Sequence, residues 1–235
     1  ETVRAAVAAT PRGVVHAVQP GAISITNLTE CGAAYSAGEI TALGVIAREG
    51  ELPLHMDGAR FANAVVGSNA ALADLTWRAG VRALSFGGTK NGLLGVEAVV
   101  LFDPALAWEF ELRRKRGAHL FSKHRYLSAQ MDAYLEDDLW RRLAQRSNAR
   151  AATLAEGLRS IPEADILHPV DGNQIFAKLP RGLHARAMAA GAHYYLWPDG
   201  QSLEGPEHEL LSARFVTNWA TTEDEIGAML NLLTG

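Results

Sequence analysis

Short apolar runs alternate with longer stretches of mixed polarity over the first hundred residues, and glycine or proline separates most of them. The apolar runs predict strands, and the stretches with apolar positions three or four apart predict helices. The predicted strands are Ala22–Thr26, Leu52–Met56, Val81–Phe86 and Val96–Phe102, and the predicted helices are Ala37–Gly50, Gly58–Val66 and Ala71–Ala79. Val96–Phe102 is almost wholly apolar, so we expect both of its faces to be buried.

The pattern changes after Pro104. Ala105–Leu158 is helical in composition almost throughout, with an interruption expected only at Gly117. Apolar side chains four apart predict one buried helix face, made of Leu127, Met131, Leu135 and Leu139. Beyond Ser160 short elements return, with strands expected at Gln174–Leu179, His193–Leu196 and Ala213–Thr217 and helices at Leu183–Ala190 and Glu223–Leu233.

Strands separated by helices predict an α/β fold with a mainly parallel sheet. We expect two units, a large domain with its connecting helix over residues 1–145 and a small C-terminal α/β domain over residues 146–235. The opening residues, ETVRAAVAATPRG, read as the end of a helix stopped by Pro11 and Gly13. We therefore expect the N-terminal part of the large domain to be missing from these residues.

Composition narrows the classes of function. The 235 residues carry a formal net charge of −4, which gives no basic surface for nucleic acid or an anionic membrane. No apolar run approaches the roughly 20 residues that span a bilayer. Cys31 is the only cysteine, which excludes an internal disulfide and favours a cytoplasmic location. The histidines show no metal-ligand spacing, so we expect no metal site.

Two segments carry candidate chemistry. In LHMDGAR, Asp57 stands at the end of a predicted strand before a helix, where open α/β sheets collect ligands. In SFGGTKNG, Lys90 stands in a glycine-rich loop that follows the next strand and lacks the spacing of a nucleotide-binding loop. Taken singly, Asp57 is more typical of a helix cap or turn, and Lys90 of an exposed turn.

Together the two segments predict more, because Lys90 follows Asp57 by 33 residues and one intervening strand. This layout resembles the aspartate-aminotransferase fold of enzymes that use pyridoxal 5′-phosphate (PLP), known as PLP fold type I. A lysine amine can form an imine with the cofactor aldehyde. A carboxylate can keep the pyridine nitrogen protonated, so that the ring accepts electrons from the substrate.

HMDGARFANA followed by SFGGTKNG resembles the low-specificity L-threonine aldolase family, within the group of β-eliminating lyases. ISITNLTECGAAYSAGEI and RFVTNWATTEDEI resemble further segments of that family. The resemblance implies that Lys90 is the Schiff-base lysine, that Asp57 pairs with the pyridine nitrogen and that Thr89 lies near the phosphate. It also implies that Arg60 contacts the substrate carboxylate or the cofactor, and that Arg214 is the main carboxylate clamp.

Arg214 also has an argument from chemistry, since a guanidinium fork suits the carboxylate of an amino acid. A surface salt bridge is an equal alternative without the resemblance. Two other assignments stay open. His55 either orients Asp57 or packs as an ordinary strand residue, and a basic residue such as Lys123 either helps to hold the phosphate or lies on a solvated surface.

The resemblance implies a PLP-dependent lyase that cleaves L-threonine or L-allo-threonine to glycine and acetaldehyde. It also implies a homodimer or homotetramer and a small β-hydroxy amino acid as substrate. The family's ring-stacking histidine and phosphate-binding turn lie farther upstream of the aspartate than the 56 residues before Asp57 reach. The alternatives are β-elimination or phenylserine cleavage on the same fold, or a catalytically incompetent fragment of such an enzyme.

Overall fold

A computed structural model describes residues 2–234 as two four-stranded sheets connected by a long helix. The strands are β1 (Ile23–Thr26), β2 (Leu54–Gly58), β3 (Val81–Gly87), β4 (Glu97–Leu101), β5 (Asp165–Ile166), β6 (Gln174–Pro180), β7 (Tyr195–Leu196) and β8 (Leu210–Val216). The α-helices are α1 (Thr2–Ala9), α2 (Ala37–Glu49), α3 (Phe61–Ser68), α4 (Ala107–Arg116), α5 (Arg125–Leu135), α6 (Leu139–Arg159), α7 (Arg181–Ala189) and α8 (Glu223–Thr234). None of these helices is long and apolar enough to cross a membrane.

The first sheet has the order β1-β2-β3-β4, with the first three strands parallel and β4 antiparallel to β3. The expected α/β class with a mainly parallel sheet is therefore confirmed. Alternate side chains of β2 and β3 are buried in the core of this sheet, among them Leu54, Met56, Leu84 and Phe86. The opposite face carries half-buried polar side chains, including His55 and Asp57.

The second sheet has the order β5-β6-β8-β7, and all of its pairs are antiparallel. Helix α6 contributes to both cores, because Ala144 packs in the first and Leu154 and Leu158 pack in the second. The predicted boundary between residues 145 and 146 falls inside this helix. The division into two domains at that point stays a prediction.

The expectation that Val96–Phe102 is buried on both faces is wrong. Strand β4 lies at the edge of the first sheet, and Val99 and Val100 remain 46% and 36% exposed. These neighbours point to opposite faces of the strand. Within residues 2–234 neither face of β4 is fully covered. The apolar composition of this strand therefore did not predict its burial.

The helical predictions need two further corrections. Ala71–Ala79 forms turns that end in a short 3₁₀ helix, Trp77–Ala79, instead of an α-helix. Ala105–Leu158 is divided into α4, α5 and α6, and besides the break at Gly117 there is one at Asp137 and Asp138, whose φ angles are 48° and 55°. Leu135 ends α5 and is 50% exposed, so the predicted apolar face does not continue into α6.

A buried histidine links α7 to the second sheet. His184 is fully buried, its Nε2 lies 3.1 Å from the carbonyl oxygen of Leu211, and its Nδ1 lies 2.9 Å from the hydroxyl of Tyr194. Because a carbonyl only accepts hydrogen bonds, Nε2 carries the proton and Nδ1 accepts from the phenol. Burial is the largest cause that lowers the pKa of His184, so the neutral ring is favoured in the folded state.

This histidine predicts acid sensitivity. The unfolded chain binds a proton near the ordinary histidine pKa of about 6.5, whereas the folded chain binds it only at lower pH. The stabilisation is therefore complete above about pH 6.5 and is lost as the pH falls through the lowered folded pKa. We expect the free energy of unfolding, measured in urea, to fall less between about pH 7.5 and pH 5 in His184→Gln than in the native protein. Equal pH dependence in the two proteins would contradict this account.

Candidate active site

Asp57 lies at the carboxyl end of β2, and Lys90 lies just beyond the carboxyl end of β3, the adjacent parallel strand. The register of β2 and β3 pairs Asp57 with Ser85 and Gly58 with Phe86. Lys90 follows the end of β3 in a single 3₁₀ turn, Thr89–Asn91. The prediction that the strand before Asp57 ends at Met56 was two residues short, because β2 continues through Asp57 to Gly58.

The Asp57 turn and the lysine loop approach each other closely at Gly87. A Cβ atom on Gly87 would lie 2.5 Å from the carbonyl oxygen of Ala59 and 2.7 Å from its Cα. Such distances are closer than van der Waals contact, so only glycine allows this approach without a shift of the backbone. The first of the three glycines in the SFGGTKNG segment therefore brings the two candidate segments together.

The carboxylate of Asp57 is half-buried on the polar face of the first sheet. Its Oδ1 accepts a hydrogen bond from the backbone amide of Ala59 at 2.9 Å, which holds the side chain at the end of β2. Over the part of the chain that the structure describes, Oδ2 has no hydrogen-bond partner. One carboxylate oxygen is thus left to contact a ligand.

The lysine loop is ordered by contacts with β4 and with Val96, the residue before it. The Glu97 carboxylate accepts hydrogen bonds from the amides of Gly88 and Thr89 at 3.1 and 3.3 Å, and the Thr89 hydroxyl donates to the carbonyl of Val96 at 3.3 Å. The amine of Lys90 is exposed and forms no ion pair or hydrogen bond with any described residue. A contact between Thr89 and a phosphate stays a prediction, since its amide and hydroxyl protons are both engaged here.

The two candidate arginines lie on different elements of the fold. Arg60 is the N-cap of α3 and Arg214 lies in β8. Burial lowers the pKa of Arg60, the positive charge of Arg214 lowers it further, and the negative charge of Glu30 acts in the opposite direction. The Nε atom of each arginine is buried without a hydrogen-bond partner among residues 2–234. Buried guanidinium Nε donors that have no partner among these residues are suited to bind an anion.

Helix α6 fixes the positions of both arginines. Asn63, one turn after Arg60, donates to Ser147 Oγ at 2.9 Å and to Asn148 Oδ1 at 2.8 Å. Thr217, just beyond β8, donates through its hydroxyl to the carbonyl of Ser147 at 2.7 Å. Buried hydrogen bonds of this kind are expensive to leave unmade, so the Ser147 region of α6 is a common anchor for the elements that carry Arg60 and Arg214.

Aromatic rings flank Arg214. Its guanidinium carbon lies 4.8 Å from the ring centre of Trp197 and 5.8 Å from that of Tyr195. The ring faces attract the cation and restrict its movement. Sequence reasoning missed both residues, although they alternate along β7 and its continuation and therefore share a face of the strand.

Of the two interpretations of His55, the structure supports the packed strand residue. Its Nδ1 lies 2.8 Å from Ser24 Oγ and its Nε2 lies 3.1 Å from Ser85 Oγ, so both ring nitrogens are engaged across the strands β1, β2 and β3. Lys123 is exposed just before α5, and a role for it in phosphate binding stays untested. The described residues contain no cluster of three or more His, Cys, Asp or Glu side chains that could hold a metal ion.

Comparison with known proteins agrees with this geometry. The family model described as Beta-eliminating lyase matches residues 1–180. Over 212 residues, 90% of this chain, the sequence is 36% identical to the low-specificity L-threonine aldolase of Pseudomonas aeruginosa. It is 35% identical to the enzyme of that name from a Pseudomonas species over the same length. The chain spans about 58% of the length of these curated relatives.

A solved structure leads to the same fold. The Leishmania major threonine aldolase superimposes with a TM-score of 0.84 at 25% sequence identity, covering 99% of this chain and 65% of that one. The expected PLP fold type I, with only part of the homologous length present, is therefore confirmed. With a family model that matches most of its length, this chain belongs to the beta-eliminating lyase family.

Proposed function

We propose that the whole protein is a PLP-dependent aldehyde-lyase that cleaves L-threonine or L-allo-threonine to glycine and acetaldehyde. The observation that carries this proposal is the position of Asp57 and Lys90 at neighbouring strand ends, joined by the close approach of Gly87 to Ala59. The names of the Pseudomonas relatives, at 36% and 35% identity, support the choice of reaction.

The side chains present fit PLP by their chemistry. An aldehyde needs an amine, and the Lys90 amine is exposed at a fixed loop. A protonated pyridine nitrogen needs an anion, and Asp57 has one carboxylate oxygen free of protein hydrogen bonds among the described residues. When bound, PLP supplies an electron sink for the pair of electrons released from the substrate's Cα–Cβ bond.

Arg60 and Arg214 bind the substrate carboxylate in this proposal. Their positive charges, and Nε donors that have no partner among the described residues, match an anion that accepts hydrogen bonds through two oxygens. Holding the carboxylate fixes the rotation about the Cα atom, which decides which bond at Cα is aligned for cleavage. Trp197 and Tyr195 limit the freedom of Arg214 and so support the same orientation. His55 has both nitrogens engaged, and we assign it a structural role.

We further propose a cytoplasmic homodimer or homotetramer that acts on a small β-hydroxy amino acid. The single cysteine, Cys31, is exposed and forms no internal disulfide, which suits a reducing compartment. Large apolar side chains on and after α4 are exposed, including Trp108 at 74%, Phe121 at 52% and Tyr126 at 63%. Aromatic residues of this kind are typical of protein interfaces. Sedimentation of the whole protein tests the oligomeric state.

Lys90→Ala tests the assignment of the lysine. We expect the native protein to show the absorbance of bound PLP and to form glycine from threonine, and the variant to lose both, because no other amine lies in the loop. Lys115→Ala, which changes an exposed lysine on α4, serves as the matched control and keeps both signals. If Lys90→Ala retains the absorbance and the activity, the proposed function is wrong.

A panel of amino acids identifies the reaction. Threonine, allo-threonine, phenylserine and serine are offered separately, and aldehyde, ammonia and keto acid are measured. Aldehyde together with glycine supports the aldolase, with the preferred substrate shown by the rates. Ammonia and keto acid without aldehyde would replace it by β-elimination.

Arg214→Lys tests the carboxylate clamp, because it keeps the charge but removes the guanidinium fork and its stacking on Trp197. Hydrogen bonds to charged groups contribute about 1.5–3 kcal/mol, so we expect KM for threonine to rise roughly 10- to 100-fold. The spectrum of bound PLP is expected to remain. Arg186→Lys, at an exposed position on α7, is the control and leaves KM unchanged. An unchanged KM in Arg214→Lys would remove Arg214 from the substrate site.

A further inference from the structure

The loop that carries Lys90 is held from the inside by one phenol. Tyr134 on α5 is fully buried, and its hydroxyl accepts a hydrogen bond from Asn91 Nδ2 at 2.6 Å and donates one to the carbonyl of Gly87 at 3.3 Å. Asn91 follows Lys90 directly, and Gly87 ends the strand before it. A single side chain from another element therefore connects the two ends of the lysine loop.

The remaining contacts make this connection rigid. The second proton of Asn91 Nδ2 is donated to the carbonyl of Trp140 at 2.8 Å, which ties the same residue to the start of α6. Phe86 packs against both rings, with centroid distances of 5.9 Å to Tyr134 and 5.8 Å to Trp140. Asn91 itself is only 3% exposed. A buried amide with both protons engaged has little freedom to rotate, and the backbone next to Lys90 shares that restriction.

Burial raises the pKa of Tyr134 to about 12, so the phenol keeps its proton at neutral pH and can donate to Gly87. A phenol buried without partners would be unfavourable compared with phenylalanine. The two loop contacts therefore explain why a tyrosine stands here, since packing of the ring alone would be met by phenylalanine. On the opposite side, Glu97 holds the amides of Gly88 and Thr89, which leaves the Lys90 side chain as the free part of the loop.

We propose that Tyr134 is a positioning residue for Lys90. By holding Asn91 and Gly87, its hydroxyl sets where the Lys90 amine stands relative to the free oxygen of Asp57. This inference rests on the proposed role of Lys90 as the amine that bonds the PLP aldehyde. Holding a reacting amine in one geometry increases its rate, so a looser loop lowers the reactivity of Lys90 without removing the amine.

The test is Tyr134→Phe in the whole protein as it is encoded. PLP is added, the lysine–aldehyde adduct is reduced with borohydride, and peptide mass spectrometry compares the label on Lys90 with that on Lys115, Lys123 and Lys178. We expect the initial rate of labelling at Lys90 to fall roughly tenfold, with the other lysines unchanged.

Tyr194→Phe is the matched control, because it removes the same atom from another phenol that is hydrogen-bonded to a buried side chain, His184. It lies in the second sheet region and is expected to leave Lys90 labelling at the native rate. Equal labelling of Lys90 in the native protein and Tyr134→Phe overturns the inference. An equal loss in both tyrosine variants also overturns it, since that result reports general loosening.

Asn91→Ala provides a second route, because it removes the donor to the phenol and leaves Tyr134 in place. It must lower Lys90 labelling by a similar factor, and the test therefore holds even if Tyr134→Phe does not fold. Combining the two changes must cost less than the product of the single effects, because both remove the hydrogen bond between Asn91 and Tyr134, although each also removes one of its own, to Trp140 or to Gly87. Effects that multiply in the double variant contradict a shared route. Absence of Lys90 labelling in the native protein instead overturns the proposed function, and the role of Tyr134 with it.

Discussion

Backbone pairing between β2 and β3 holds Asp57 opposite Ser85, and this register decides which side chains face the ligand side of the first sheet. A slip of one residue would turn Asp57 into the core and bring Met56 out of it. Met56 and Leu54 are almost fully buried, and burial of each such side chain contributes about 1.5–3 kcal/mol. The apolar face of β2 therefore stabilises the position of the polar one, and the geometry of Asp57 depends on residues that never touch a ligand.

The position of Arg214 in the second sheet likewise depends on residues away from the site, in this case on α6. Ser147 lies where that helix meets both α3 and the end of β8, and its hydrogen bonds to Asn63 and Thr217 hold the two arginine-bearing elements together. Packing and hydrogen bonds around the site stabilise this arrangement. The arginines therefore remain available to attract an anion. The same holds for Lys90, because its neighbours form hydrogen bonds and its own amine forms none with the residues that the structure describes.

The α/β class, the main strands and the position of Asp57 and Lys90 near the ends of neighbouring strands could be predicted from sequence, because they follow from local apolar runs and short motifs. Three kinds of error have physical causes. The exposure of β4 depends on which other elements pack against it, and the sequence of the strand does not determine this. The break at Asp137 requires left-handed backbone at two acidic residues, for which no glycine gives a signal. Tyr134 and Trp197 act through contacts with distant segments, so no spacing along the chain reveals them.

A crystal structure of the whole protein with PLP tests the central claim most directly, namely that β2 and β3 bring one amine and one carboxylate to the same cofactor. We expect electron density continuous with Lys90 Nζ, and a pyridine nitrogen within about 3 Å of the Asp57 carboxylate. Arg60 and Arg214 would flank the same site. Density joined to another lysine, or a pyridine nitrogen without contact to Asp57, would contradict the account.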